Sequence, residues 1–275
     1  FIKRVDDLKQ PWKDEGFIYV RIKATVQLRE LRDRLTQHNI KLKAVSGESL
    51  AAEAESKAER NLTGRKRFAT AVDRADLFVV GVARGELAVV ERDAAGLATE
   101  RVGSIDHTRQ VGDLVLDATP GELLSGIELA RRVRDGALVL LAADAFGAAS
   151  KLVAITVEYA STRRQFGQEI AQFQAVKHQL ADMATQVECA RGLFWYAGHA
   201  FDQIEGESMR TAAIAKAHLT DVAAWVGREA VELHGGLGFT WECDVHIHKK
   251  RVMFDRAFFG TPEHHRRRIA QQEGW

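Results

Sequence analysis

The chain has 275 residues, 46% of them hydrophobic, and its 39 lysines and arginines nearly cancel 38 aspartates and glutamates, leaving a formal charge of +1. That balance lacks the basic excess that nucleic-acid or anionic-membrane binding needs, and the two distant cysteines, Cys189 and Cys243, give neither a disulfide framework nor a zinc cluster. No apolar run approaches the roughly 20 residues of a membrane helix, and Lys3, Arg4, Asp6 and Asp7 are not followed by the apolar stretch of a signal peptide, so the expected compartment is the cytoplasm.

Residues 17–28 are rich in aromatic and β-branched side chains and predict a strand, and residues 30–37 a short helix. Residues 48–60 form an Ala/Glu/Ser/Lys run without an apolar face and read as a linker or an exposed turn of helix. Short apolar stretches at 77–82, 87–90 and 111–116, separated by Gly85, the Ala94-Ala95-Gly96 run and Gly103, predict antiparallel strands joined by turns. Past Pro120 the pattern becomes helical. Residues 136–163 predict one helix, and a stripe through Phe173, Val176, Leu180, Met183, Val187, Ala190 and Phe194 predicts a second. A third follows from Ala212, Ala215, Leu219, Val222, Val226, Ala230 and Leu233, with Gly235 and Gly236 just past its end, and residues 244–258 predict a shorter fourth. Four helices suffice for an antiparallel bundle. The histidines at 246, 248, 264 and 265 invite a metal reading, but helical spacing puts i and i+2 on different faces, so no metal is expected.

The segment Tyr159-Ala-Ser-Thr-Arg-Arg-Gln-Phe-Gly167, followed by Phe173-Gln174 and Ala181-Asp182-Met183, resembles the acyl-CoA dehydrogenases. Two further anchors, Glu232-Leu-His-Gly-Gly-Leu-Gly-Phe-Thr240 and Gly260-Thr261-Pro-Glu263, stand in that family's order and spacing, and Leu62-Thr-Gly-Arg-Lys66-Arg-Phe-Ala-Thr70 resembles the start of its β-domain. The resemblance covers roughly residues 60–275. It implies an α+β fold in which a small antiparallel β-domain (61–118) precedes a C-terminal four-helix bundle (119–275), after an N-terminal region (1–60) that is a remnant or divergent form of the family's first domain.

The resemblance also implies FAD as cofactor and an acyl-CoA as substrate. Arg163 would hold the FAD pyrophosphate of a neighbouring subunit, with Phe166 and Gln174 at the adenosine end and the turn of Glu232, Gly235 and Gly236 meeting the adenine half. On the residues themselves, guanidinium groups at a helix end suit a pyrophosphate, and glycines let backbone approach a ligand. Thr70 falls where the family's strand meets the isoalloxazine, with Phe68 where a tryptophan is common, and Asp135 matches a carboxylate that helps receive CoA. The catalytic base is missing. Its usual place before Gly-Thr holds Phe259, the alternative place on an earlier helix holds Ala137, and Glu263 and Asp135 are the nearest substitutes.

Members of this family share FAD between subunits, and some bacterial ones, implicated in steroid side-chain degradation, are heteromers. A chain that keeps the gripping residues and lacks the base reads as the non-catalytic subunit of such an α2β2 complex, partnered by a homologous acyl-CoA dehydrogenase subunit. The alternatives are a homomeric flavoprotein oxidase or monooxygenase of the same fold, and a flavin-free structural or regulatory relative.

Overall fold

The computed structural model describes Lys13–Asp14, Phe17–Ile18 and residues 59–275 apart from Ser125. The chain divides into two compact units, residues 1–57 and 58–275. In the first, β1 (Lys13–Asp14) pairs antiparallel with β2 (Phe17–Ile18). The expected strand over 17–28 starts within β2, and its remainder, the helix at 30–37 and most of the 48–60 linker lie outside the described residues.

The second unit opens with five strands, β3 (Glu59–Thr70), β4 (Leu77–Gly81), β5 (Leu87–Glu91), β6 (Leu97–Val102) and β7 (Val111–Leu124), in one antiparallel sheet. The 14-residue β7 is its spine, pairing with β3 along its length, with β6 over its first half and with β5 over its last three residues. Period-two alternation sets the faces: in β4, Phe78 and Val80 point inward to Val90, Leu114 and Leu116 while Leu77 and Val79 face out.

Two features differ from the sequence reading. Strand β6 (Leu-Ala-Thr-Glu-Arg-Val) is mostly exposed and carries too little apolar signal to predict. The helical region begins later than Pro120, because proline disfavours helix in the residue before it, and Pro120 extends β7 opposite Asn61. The chain leaves the sheet through Gly126 at φ +111°.

Five helices follow: α1 (Ile127–Thr162), α2 (Gln174–Gln203), α3 (Ser208–His234), α4 (Val245–Ala257) and α5 (Pro262–Gln272). The first four form the bundle and α5 packs on α3. The expected stripes are the buried ones, with Met183, Val187 and Ala190 of α2 meeting Ala215, Leu219, Val226 and Ala230 of α3. Helix α1 is apolar and long enough to cross a membrane by length and composition. Here its inward face, Leu138, Ala142, Ala145 and Leu152, is bundle core, and it carries two aspartates bound to arginines. Helices α1 and α3 run parallel. Ser208 Oγ donates to Asp135 at their starts (3.1 Å), and the rings of Tyr159 and His234 stack at their ends (4.3 Å).

Candidate functional site at one end of the bundle

The Tyr159–His234 stack is the keystone of this end, because one turn past Tyr159 comes Arg163 and directly past His234 comes the glycine turn. His234 is buried, its Nδ1 lies 2.7 Å from the Ala230 carbonyl, and burial holds its pKa below the ordinary histidine value, so the ring is neutral at pH 7. Gln179 Nε2 donates to Glu229 (3.2 Å), which draws the first turns of α2 to the same place. Arg163, Phe166, Gln174, Glu232, Gly235 and Gly236 therefore all occur at one end of the bundle, and every one of them is exposed. The arrangement is an open platform rather than a pocket.

The two arginines have different jobs. Arg164 donates to Glu169 (2.7 Å) and to the Gly167 carbonyl (2.9 Å), which closes a small hairpin of β8 (Arg164–Gln165) and β9 (Gln168–Glu169). The Arg163 side chain has no hydrogen-bond or ion-pair partner among the described residues, while its backbone N–H caps α1 through Tyr159 O (2.8 Å). The hairpin turn puts Phe166 at φ +50° and Gly167 at φ +82°. A bulky residue in that region costs about 1–3 kcal/mol, and the ring gains no burial in return, being 94% exposed. Its one ring contact among the described residues is an edge-on approach to Phe173 at 6.1 Å.

Helix α2 begins here without a side-chain cap, since its cap position is Phe173. The N–H groups of Gln174, Ala175 and Val176 have no intrahelical partner and stand at the positive end of the helix dipole. Across from them Gly235 sits at φ +60°, and a Cβ added at Gly235 or Gly236 would meet nothing within 4 Å, so both offer bare backbone to a ligand. Gly238 faces inward instead, with a Cβ there only 2.8 Å from the Val231 carbonyl. An unpaired guanidinium, free helix N–H groups, an exposed ring and open glycine backbone together suit a flat base joined to a pyrophosphate.

The other expected site residues lie elsewhere. Ala137 is 26 residues before Arg163 on α1, about 39 Å along the axis. Asp135 is buried and engaged, accepting from Arg134 (2.9 Å) and Ser208 (3.1 Å), with Arg268 at 3.8 Å, so it ties the start of α1 to α3 and α5. Thr70 ends β3 opposite Val111, exposed, beyond a bulge between Lys66 and Ala69. The buried carboxylate of Asp113 pins that bulge, accepting from the Phe68 N–H (3.1 Å) and Arg65 (2.8 Å).

Phe259 stands in the turn after α4, at φ +58° and half-exposed, with its ring against Phe258 (4.9 Å). Two buried groups that the sequence reading passed over hold this turn. Lys216, fully buried on α3, donates to the carbonyls of Gly260 (3.0 Å) and Arg256 (3.3 Å), and His265 Nε2 lies 3.1 Å from the Phe259 carbonyl. Burial brings Lys216 down to about 8 and His265 to about 4. A lysine at position 216 falls within the α3 stripe between Ala212 and Leu219, and that placement was the available signal. Glu263 pairs with Arg256 (2.7 Å) rather than with Arg266, Arg267 or Arg268 of its own helix; hydrogen bonds from Thr261 and its own backbone, with the Arg256 guanidinium, hold its carboxyl at about 2.

A second unforeseen group joins sheet to bundle. Arg109, just before β7, reaches both Asp144 of α1 and Asp255 of α4 (3.3 Å to the latter), and Arg251 donates to Asp144 (2.9 Å) and Thr108 (2.9 Å). Burial and the neighbouring Asp144 carboxylate raise Asp255 to about 8; burial also works against the Asp144 charge, but hydrogen bonds from Arg251 and Asp255 outweigh it and keep Asp144 below the usual range.

Comparison with known proteins identifies the family and the fold. Residues 125–274, more than half of the chain, match the family "Acyl-CoA dehydrogenase, C-terminal domain". Acyl-CoA dehydrogenase IpdE2 of Mycobacterium tuberculosis is 32% identical over 209 residues, 74% of this chain and 58% of its own. The short-chain specific acyl-CoA dehydrogenase of Megasphaera elsdenii is 32% identical over 238 residues, 79% of this chain and 61% of its own. Among solved structures, butyryl-CoA dehydrogenase of Megasphaera elsdenii superposes with a TM-score of 0.72 at 28% identity, covering 78% of this chain and 60% of that one. The Tcur3481-Tcur3483 steroid ACAD gives 0.73 at 29%, with 78% and 60% covered. The chain thus spans about three fifths of the length of these relatives.

Proposed function

Because the chain belongs to the acyl-CoA dehydrogenase family, we propose that it is the non-catalytic subunit of a cytoplasmic, heteromeric, FAD-dependent acyl-CoA dehydrogenase, giving the adenosine-diphosphate half of a flavin site to a homologous catalytic partner in an α2β2 assembly. One observation carries the reading: the residues suited to gripping a dinucleotide converge on an open end of the bundle, while both places for a catalytic base hold side chains that accept no proton, Phe259 and Ala137. A heteromer and a steroid-derived acyl thioester are favoured because the Tcur3481-Tcur3483 steroid ACAD is among the solved neighbours.

In this assembly the guanidinium of Arg163 takes the pyrophosphate with charged hydrogen bonds, aided by the free N–H groups of α2. Phe166 and Gln174 would hold the adenosine, and the backbone of Gly235 and Gly236, with Glu232, would hold the adenine. Bound FAD supplies the hydride acceptor for α,β-dehydrogenation. This chain moves no proton in the reaction: Glu263, nearest to the base position, is ionised and held by Arg256, and a carboxylate near 2 is too weak a base for an α-carbon. Lys216 and His265 hold the apolar turn of Phe258 and Phe259, and Asp113 holds the bulge before Thr70, which would meet a flavin ring.

The test is to purify the chain alone and again after co-expression with an adjacent acyl-CoA dehydrogenase-like gene, recording flavin absorbance and dehydrogenation of acyl-CoAs. Flavin at full occupancy and turnover only in the complex agree with the proposal, whereas a lone chain with full flavin and turnover overturns it.

A further inference from the structure

A second concave site lies beside the platform, between the segment joining β6 to β7, the turn after α3, and α4. Its cavity measures about 290 Å³, near the lower end of the range for small-molecule sites. Ile105, Phe239, Trp241 and Met253 form apolar walls, and they are 65%, 76%, 70% and 43% exposed, a concentration of uncovered apolar surface of the kind that marks ligand-binding grooves. Two lysines stand at the same cavity. Lys250 Nζ lies 4.1 Å from the Trp241 ring centre and Lys249 Nζ 5.8 Å from that of Phe239.

The electrostatics are one-sided. Most arginines of the helices are paired with carboxylates, but neither Lys249 nor Lys250 forms an ion pair or hydrogen bond among the described residues, and no aspartate or glutamate lines the cavity. His246, its ring edge-on to Trp241 at 4.5 Å, adds a wall whose buried Nδ1 has no hydrogen-bond partner. Burial and Lys250 hold His246 below the ordinary histidine value, against a weaker pull from Asp244, so the positive charge at the cavity belongs to the lysines. Aromatic faces accept flat apolar surface, and ammonium groups held above those faces accept an anion at its edge.

We propose that this cavity binds a small, flat, apolar carboxylate, its body against Trp241 and Phe239 and its charge between Lys249 and Lys250. The proposal stands apart from the heteromer reading, since it needs only this chain. The probe is 2-naphthoate, with neutral 2-naphthamide as its uncharged counterpart, titrated calorimetrically and by tryptophan emission into the full-length protein. Expected are saturable one-to-one binding of the naphthoate, at least tenfold weaker binding of the amide, and at least tenfold weaker naphthoate binding to the Lys249→Gln/Lys250→Gln protein. The Trp241→Phe protein should bind but lose the emission change, which places the ligand even if Trp241→Ala fails to fold.

Equal binding of acid and amide, unchanged affinity in the double variant, or no saturation would overturn it. Displacement of the naphthoate by FAD would do so as well, because the cavity would then belong to the dinucleotide platform. So would failure of the naphthoate to bind a co-purified complex, which would identify a partner's side chain as the occupant.

Discussion

Arg163 and Arg164 are adjacent in sequence, alike in charge and both exposed, yet the structure assigns them separable roles. Arg164 closes the β8–β9 hairpin through Glu169 and Gly167, whereas Arg163 has no side-chain partner. Replacing Arg163 by Ala should leave stability within about 0.5 kcal/mol of wild type, as for a surface position without local contacts. The same change removes a charged contact to the pyrophosphate worth about 1.5–3 kcal/mol, so affinity for FAD or ADP should fall between about tenfold and about 150-fold. Arg164→Ala should show the opposite weighting. Losing an exposed ion pair and one carbonyl contact costs about 0.5–1.5 kcal/mol of stability, with a smaller loss of affinity arising from a loosened hairpin. Urea unfolding and ADP titration on both variants give the four numbers needed. The reasoning is refuted if Arg163→Ala binds ADP as wild type does, or if it unfolds earlier than Arg164→Ala.

Three further outcomes follow from the buried groups. Lys216→Met keeps the volume but removes the donors to Gly260 and Arg256. Burial lowers the Lys216 pKa to about 8, so the folded protein releases a proton that the unfolded chain keeps up to about 10.5. Wild-type stability therefore carries a contribution that rises with pH between about 8 and 10.5, and the variant, followed by urea unfolding across that range, should lack it. Asp255, raised to about 8, gives the reverse slope. The folded state keeps a proton that the unfolded state has lost, and that contribution is present at low pH and lost as pH rises from about 4 to 8. Asp255→Asn should come nearest to wild type below about pH 4 and exceed it at pH 9 by more than about 1.4 kcal/mol, the worth of one pKa unit; an offset that does not change with pH would refute the raised Asp255 pKa. Gly238→Ala puts a methyl 2.8 Å from the Val231 carbonyl and should cost about 1–3 kcal/mol in thermal or urea unfolding, whereas Gly236→Ala, facing open space, should cost far less.

The helical half was legible because its stripes are long: a repeat sustained from Phe173 to Phe194 or from Ala212 to Leu233 has one interpretation. Its anchors were legible because they are local sequences, and the Tyr159–His234 stack explains why anchors 75 residues apart belong to one surface. The sheet was less legible. Strand β6 is exposed at four of its six positions, and β7 hides its last third behind Pro120, which reads locally as an end to the strand pattern. The charge cluster was not legible at all, since Arg109, Asp144, Arg251 and the buried Asp255 look like surface residues until α1, α4 and the segment before β7 meet. Of the arginine pair, the family resemblance singled out Arg163 for the pyrophosphate, whereas the part of Arg164 in closing a hairpin through Glu169 and Gly167 shows only in the structure.

A non-catalytic subunit would serve a reaction centre that lies in its partner. The most direct measurement is the flavin content and turnover of the co-purified complex assembled separately with Arg163→Ala and with Phe259→Leu in this chain. The account predicts that Arg163→Ala strips flavin and activity from the complex while Phe259→Leu, at the position of the absent base, leaves both near wild type. Loss of turnover in Phe259→Leu with flavin retained, or full flavin in Arg163→Ala, would contradict it.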